Sequence, residues 1–209
     1  MQTLALARLL GGEIVAVDTH QPFLDELRGR AREAGVADRV QTLKASMDAL
    51  PFRNGSFNLV WSEGAISCMG FQAGLLAWRR LLAPRGLLVV SEITWLNDAP
   101  PAQAREFWKL KYPAMQTEPQ NTAAAKAAGY RVRETYRLPS EAWFSDYYDH
   151  LEKQIERLAE KYRSDEEAVA EITAEREEID LFRRYSDAYA YLFYILELSS
   201  SSPEKVTHA

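Results

Sequence analysis

Between residues 13 and 96, short apolar runs rich in β-branched residues alternate with amphipathic stretches that stop at glycine, and this alternation constrains the fold more than any other feature. "EIVAVD" (13–18) is too short and too β-branched for a helix, and its unbroken apolar centre suits a strand buried on both faces. "RVQTLKAS" (39–46), "SFNLVWSE" (56–63) and "GLLVVSEITWL" (86–96) are further strand candidates. Between them, Pro22 to Ala34 predicts a helix with Phe23, Leu24, Leu27 and Ala31 on one face and Gly35 just past its end. A second helix is expected over 71–83, stopping at "APRG", and "TLALARLL" (3–10) reads as a helix stopped by Gly11 and Gly12. Strands and helices alternating at this spacing imply βαβ units. The expected class is α/β, with a doubly wound, mostly parallel sheet and helices on both faces.

The second half changes character. A short helix is expected within 100–115, and 121–138 reads as a helix, then Gly129, then a strand. Residues 140–163 place Leu151, Ile155, Leu158 and Tyr162 on one helical face behind a cap at Ser140. Ser164 and Glu167 fit a capping box for a charged helix over 165–184. "DAYAYLFYILEL" (187–198) predicts the last strand, and 199–209 a disordered tail. The expected organisation is one domain over 1–198, in which about 97–185 supplies a helical cover or lid.

The chain has 209 residues, of which 47% are apolar and 26% charged, enough for one buried core. A net charge of -5 argues against a nucleic-acid or anionic-membrane surface, either of which needs a concentrated basic face. The single cysteine, Cys68, cannot form an internal disulfide, and neither a leader-like segment nor a long apolar run is present, so a cytoplasmic location is expected. His20, His150 and His208 lie far apart, so no metal site is expected.

Asp18 closes the first apolar run. In doubly wound sheets, ligands bind beyond the carboxyl ends of the strands, and an ionised carboxylate there can accept both hydroxyls of a ribose. The alternative is a local role, ending the strand and capping the next helix. "DALPFRNGSFN" (48–58) and "LLAPRGLLVVSE" (81–92) add to the pattern. Together these stretches resemble the class I S-adenosylmethionine-dependent methyltransferases of the small-molecule type, whose fold is Rossmann-like. Asn58 stands where that family usually has Asp, Ala83 where it has Lys, and Arg85 where it has the first Gly of its turn. The resemblance implies S-adenosylmethionine as cofactor. It places Asp18 and Thr19 at the ribose, Met47 and Asp48 at the adenine, and Glu63 and Gly64 at the cofactor or substrate, with Glu63 as the candidate base.

In that family a first strand and a glycine-rich loop precede the helix that "QTLALARLL" resembles, and no such segment stands before it here. The expectation is therefore a chain that lacks the cradle for the methionine part of the cofactor and is either a piece of a longer product or one with a mis-assigned start. Aromatic residues in the second half suggest a pocket for an apolar or cationic small molecule, with Trp95, Tyr112, Trp143, Tyr147 and Tyr148 as candidate walls. Ordinary core packing is the competing account of each. The leading expectation is transfer of a methyl group to an unidentified small molecule; the alternative is a non-catalytic binding or structural module with the same fold. A homodimer through the charged helix at 165–184 is a further option.

Overall fold

The computed structural model describes residues 2–144 and 148–199; the expected tail, apart from Ser199, lies outside the described residues. The chain folds as two compact units, Met1–Phe52 and Arg53–Ala209.

In the first unit, α1 (Gln2–Leu9) and β1 (Ile14–Asp18) lead into α2 (Gln21–Glu33) and then β2 (Val40–Lys44). Pro22 sits in the first turn of α2, where a missing N–H costs nothing, and Gly35 follows the helix at φ 67, a conformation that favours glycine. β1 and β2 pair in parallel from Ile14↔Val40 to Asp18↔Lys44. Ala7, Ala31, Val36 and Val40 form the core between helices and strands, with Leu4, Ile14, Leu27 and Ala34 packed on it. Phe23, expected on the inner face of α2, is exposed and sets its ring edge against His20 at 4.6 Å. Leu24, Leu27 and Ala31 already fill the inward stripe at spacings of three and four, and Phe23 lies one position round from it.

In the second unit, β3 (Phe57–Ser62) is followed by a 3-10 turn (Ile66–Cys68), α3 (Phe71–Arg79) and β4 (Leu82–Trp95). Then come α4 (Ala102–Lys111), α5 (Glu118–Ala127), β5 (Tyr130–Arg137), α6 (Ser140–Trp143), α7 (Asp149–Lys161), α8 (Glu166–Tyr185) and β6 (Tyr189–Leu198). The sheet order is β3-β4-β6-β5; β3 and β4 are parallel, and β6 runs antiparallel to both β4 and β5. Three of its four strands therefore point the same way. Helices cover both faces. On one, Leu75 of α3 accepts the Tyr130 hydroxyl at 2.9 Å and Asn121 of α5 donates to Tyr194 at 3.2 Å. On the other, Ala104 and Trp108 of α4, Ile155 of α7, and Ile172, Ile179 and Phe182 of α8 pack with Ile93 and Tyr189. No helix of the described residues is long and apolar enough to cross a membrane.

Three local expectations are corrected. α3 ends at Arg79 rather than at residue 83, because "LAPRG" is already extended chain of β4. The register slips there: Phe57 pairs Leu82, yet Leu59 pairs Leu87, and Arg85 takes up the surplus at φ 65. A Cβ on Gly86 would stand 2.9 Å from the Ala83 carbonyl and 3.0 Å from that of Phe57, so this close approach requires glycine. Second, Ser140 does not cap: Pro139 is the N-cap of α6, and α6 and α7 both lie within the stretch 140–163 expected as helix. Third, Asp165 rather than Ser164 caps α8, its carboxylate accepting the Ala168 N–H at 3.1 Å. The helix starts one residue later than the Ser164–Glu167 box requires, and a carboxylate at that end also meets the positive pole of the helix.

Candidate functional site

The first unit presents its candidates at the carboxyl ends of its two parallel strands. Asp18, the last residue of β1, is half-buried, and its Oδ1 accepts the His20 N–H at 2.7 Å while its carbonyl accepts that of Ala45 at 3.1 Å. This fixes the turn into α2, but His20 is the N-cap, so Asp18 is not the helix cap. Thr19 is exposed beside it. Beyond β2, Met47 is half-buried and Asp48 exposed in the turn closed by Ala49 N–H to Ser46 C=O at 3.2 Å.

In the second unit, Glu63 follows β3 directly, and its Oε1 accepts the Trp61 indole N–H at 2.5 Å. Gly64 has φ 61 and donates its N–H to Ser91 Oγ at 2.8 Å; a Cβ on it would lie 3.7 Å from the Tyr191 hydroxyl. The turn after Glu63 is thereby pinned to β4.

The aromatic candidates divide. Trp143 is buried and lies between two rings, Phe182 at 4.4 Å and Tyr191 at 4.8 Å, both nearly parallel to it. Both its faces are thus used in packing. Tyr148 is buried as well; its ring meets Trp143 and Phe182 at 5.5 Å each, and its hydroxyl donates to Glu178 at 3.3 Å. Trp95 is half-buried, edge-on to Tyr189. Tyr147 lies outside the described residues.

Tyr112 differs from these because its hydroxyl is bonded to Glu92, a residue the sequence reading passed over. Glu92 is 2% exposed, in the middle of the apolar run of β4. Burial pushes its carboxyl up to about 7, and the Tyr112 hydroxyl offsets only part of that. The Phe71 N–H in turn donates to Tyr112 Oη, so the phenol proton is directed at Glu92. The second carboxylate oxygen, Oε2, has no hydrogen-bond partner among the described residues. Next along the strand, Thr94, Tyr194 and Asn121 form a closed triangle of hydrogen bonds at 3.2 Å each. The available sequence signal was a single acid inside "LLVVSEITW".

Residues 1–86 match the model of a methyltransferase domain. A ubiquinone/menaquinone biosynthesis C-methyltransferase from Photorhabdus laumondii is 30% identical over 111 residues, which are 52% of this chain and 44% of that protein. The chain thus matches less than half the length of that relative. Among solved structures, a SAM-dependent methyltransferase from Geobacter sulfurreducens in complex with S-adenosyl-L-homocysteine superposes with a TM-score of 0.76 at 22% identity, covering 94% of this chain and 79% of that one. The [4+2]-cyclase SpnF superposes with a TM-score of 0.72 at 16% identity, covering 94% of this chain and 70% of its own. The fold is shared with both solved structures.

Proposed function

We propose, from a chain that carries a methyltransferase domain sequence over residues 1–86 and folds as a class I methyltransferase, that it takes part in transfer of a methyl group from S-adenosylmethionine to a small molecule. The observation that carries this reading is the half-buried carboxylate of Asp18, held by the His20 N–H at the carboxyl end of a parallel strand. It fits a ribose diol, since its fixed orientation lowers the entropic cost of accepting two hydroxyls. Asp48 and Met47, leaving the same end of the paired strand β2, are the residues for the adenine, and Glu63 and Gly64 those of the second unit. When bound, the cofactor supplies a methyl group on a positively charged sulfur. The chain's own part is to orient the acceptor, exclude water and take a proton where the acceptor must lose one.

A cytoplasmic location belongs to the same reading, supported by the single, exposed Cys68. Isothermal calorimetry with S-adenosylhomocysteine tests the cofactor. Asp18→Ala is expected to weaken binding by at least about tenfold, the roughly 1.4 kcal/mol of a charged hydrogen bond. Equal affinity in a folded variant would remove Asp18 from the site, and absence of binding to the unaltered chain would overturn the cofactor assignment.

A further inference from the structure

We infer that Glu92, oriented by Tyr112, is the acceptor-binding centre of the second unit and that the group it takes is a protonated amine. Acids are almost never fully buried unless they are paired. Here, among the described residues, the carboxylate is 2% exposed, Tyr112 hydrogen-bonds to it, and Oε2 is left without a partner. The Tyr112 oxygen already receives the Phe71 N–H, so the phenol acts as a fixed donor to one carboxylate oxygen and leaves the other for a ligand.

The position suits that task. β3 stops at Ser62, paired with Val90, so Glu92 stands beyond the end of its parallel neighbour, beside the turn that Gly64 pins to Ser91. Ligands of parallel sheets bind beyond strand ends of this kind. A neutral alcohol or amide could hydrogen-bond to Oε2 but would leave the ionised carboxylate uncompensated, whereas an ammonium supplies both a donor and the opposite charge.

On binding, the N–H proton passes from nitrogen to Oε2. The N–H bond breaks, an O–H bond forms, both charges cancel, and the amine is left neutral with its lone pair free. Burial raises the carboxyl's affinity for the proton toward that of an amine and so narrows the gap the transfer has to cross. The titratable groups facing it are Tyr112, after α4, and Tyr194 on β6; burial keeps both neutral through this range.

The inference rests on the methyltransferase reading for calling the amine an acceptor, while the binding itself is tested without cofactor. Benzylamine and its neutral counterpart benzyl alcohol are titrated calorimetrically into the whole chain and into Glu92→Gln and Tyr112→Phe, with circular dichroism confirming the fold of each. Benzylamine is expected to bind the unaltered chain more tightly as pH rises from 6 to 8, and at least tenfold more weakly to Glu92→Gln. Benzyl alcohol is expected to distinguish neither protein. Tyr112→Phe, which removes the bond that favours the charged carboxylate, is expected to move the midpoint of the benzylamine profile to higher pH. It serves as the independent readout should Glu92→Gln fail to fold. No benzylamine binding, equal binding to Glu92→Gln, or an unmoved midpoint in Tyr112→Phe overturns the inference. S-adenosylhomocysteine binding without benzylamine binding sinks this inference and leaves the methyltransferase reading standing; the reverse result does the opposite.

Discussion

Glu92 sets a stability cost that can be measured apart from any ligand. Its carboxyl lies at about 7 in the fold against an ordinary value of 4.5, so the folded state binds the proton more tightly than the unfolded chain. The contribution is full below the ordinary value and is lost as pH rises through the folded one, a loss on the order of 3 kcal/mol by pH 8. Glu92→Gln removes that dependence. Denaturant unfolding at pH 5 and pH 8 is therefore expected to show the variant gaining on the parent by about 2.5 kcal/mol between the two, and parallel behaviour would mean that the carboxyl is not held protonated. The sequence placed Glu92 in a strand but could not reveal its burial, because β6, which pairs with it, comes from the far end of the chain, and the Tyr112 segment returns to it only after α4. Trp143 illustrates the converse. An aromatic residue within the expected lid is a candidate pocket wall by sequence, with core packing as the competing account, and Phe182 and Tyr191 stack on its ring.

Among elements, those defined by local chemistry were legible. β1, α2, β2 and β3 fall within a residue or two of the stretches bounded by Gly35 and the apolar runs, since their periodicity and stops are local signals. The start of β4 was not, because "LAPRG" looks like a helix stop, and only pairing with Phe57 makes it strand. The cap of α8 lies one residue later than expected: Ser164 and Asp165 are both good caps, and it is the Asp165 carboxylate that accepts the Ala168 N–H. Asp165→Ala is expected to cost about 1 kcal/mol and Ser164→Ala close to nothing, as read from thermal or denaturant midpoints. The opposite order would restore the capping box at Ser164.

Taken whole, the molecule divides its hydrophobic material unequally. The core of the first unit is built from Ala7, Ala31, Val36 and Val40, whereas the second buries Tyr130, Tyr189, Tyr194, Phe182, Leu88 and Leu196. Smaller side chains remove less apolar surface from water, so the first unit should open at lower free energy. Native-state hydrogen exchange is expected to run at least about tenfold faster at Val15–Val17 than at Leu88–Val90 and Tyr194–Leu196; equal protection would mean that the two units unfold as one. The α/β class was readable from the alternation of runs alone. Which strand pairs with which was not, because β1 with β2 and β4 with β6 are choices made across long stretches of chain. The candidate carboxylates Asp18 and Asp48 were readable for the same local reason as the strands they follow.

The chain's one cysteine, Cys68, is exposed in the 3-10 turn that follows Glu63 and Gly64. A maleimide dye or nitroxide added to the unaltered protein would therefore attach at a single address, beside the turn that Gly64 pins to β4. The native sequence thus comes with its own spectroscopic label position, and emission or line shape from that position would report on this turn during either titration without a single substitution.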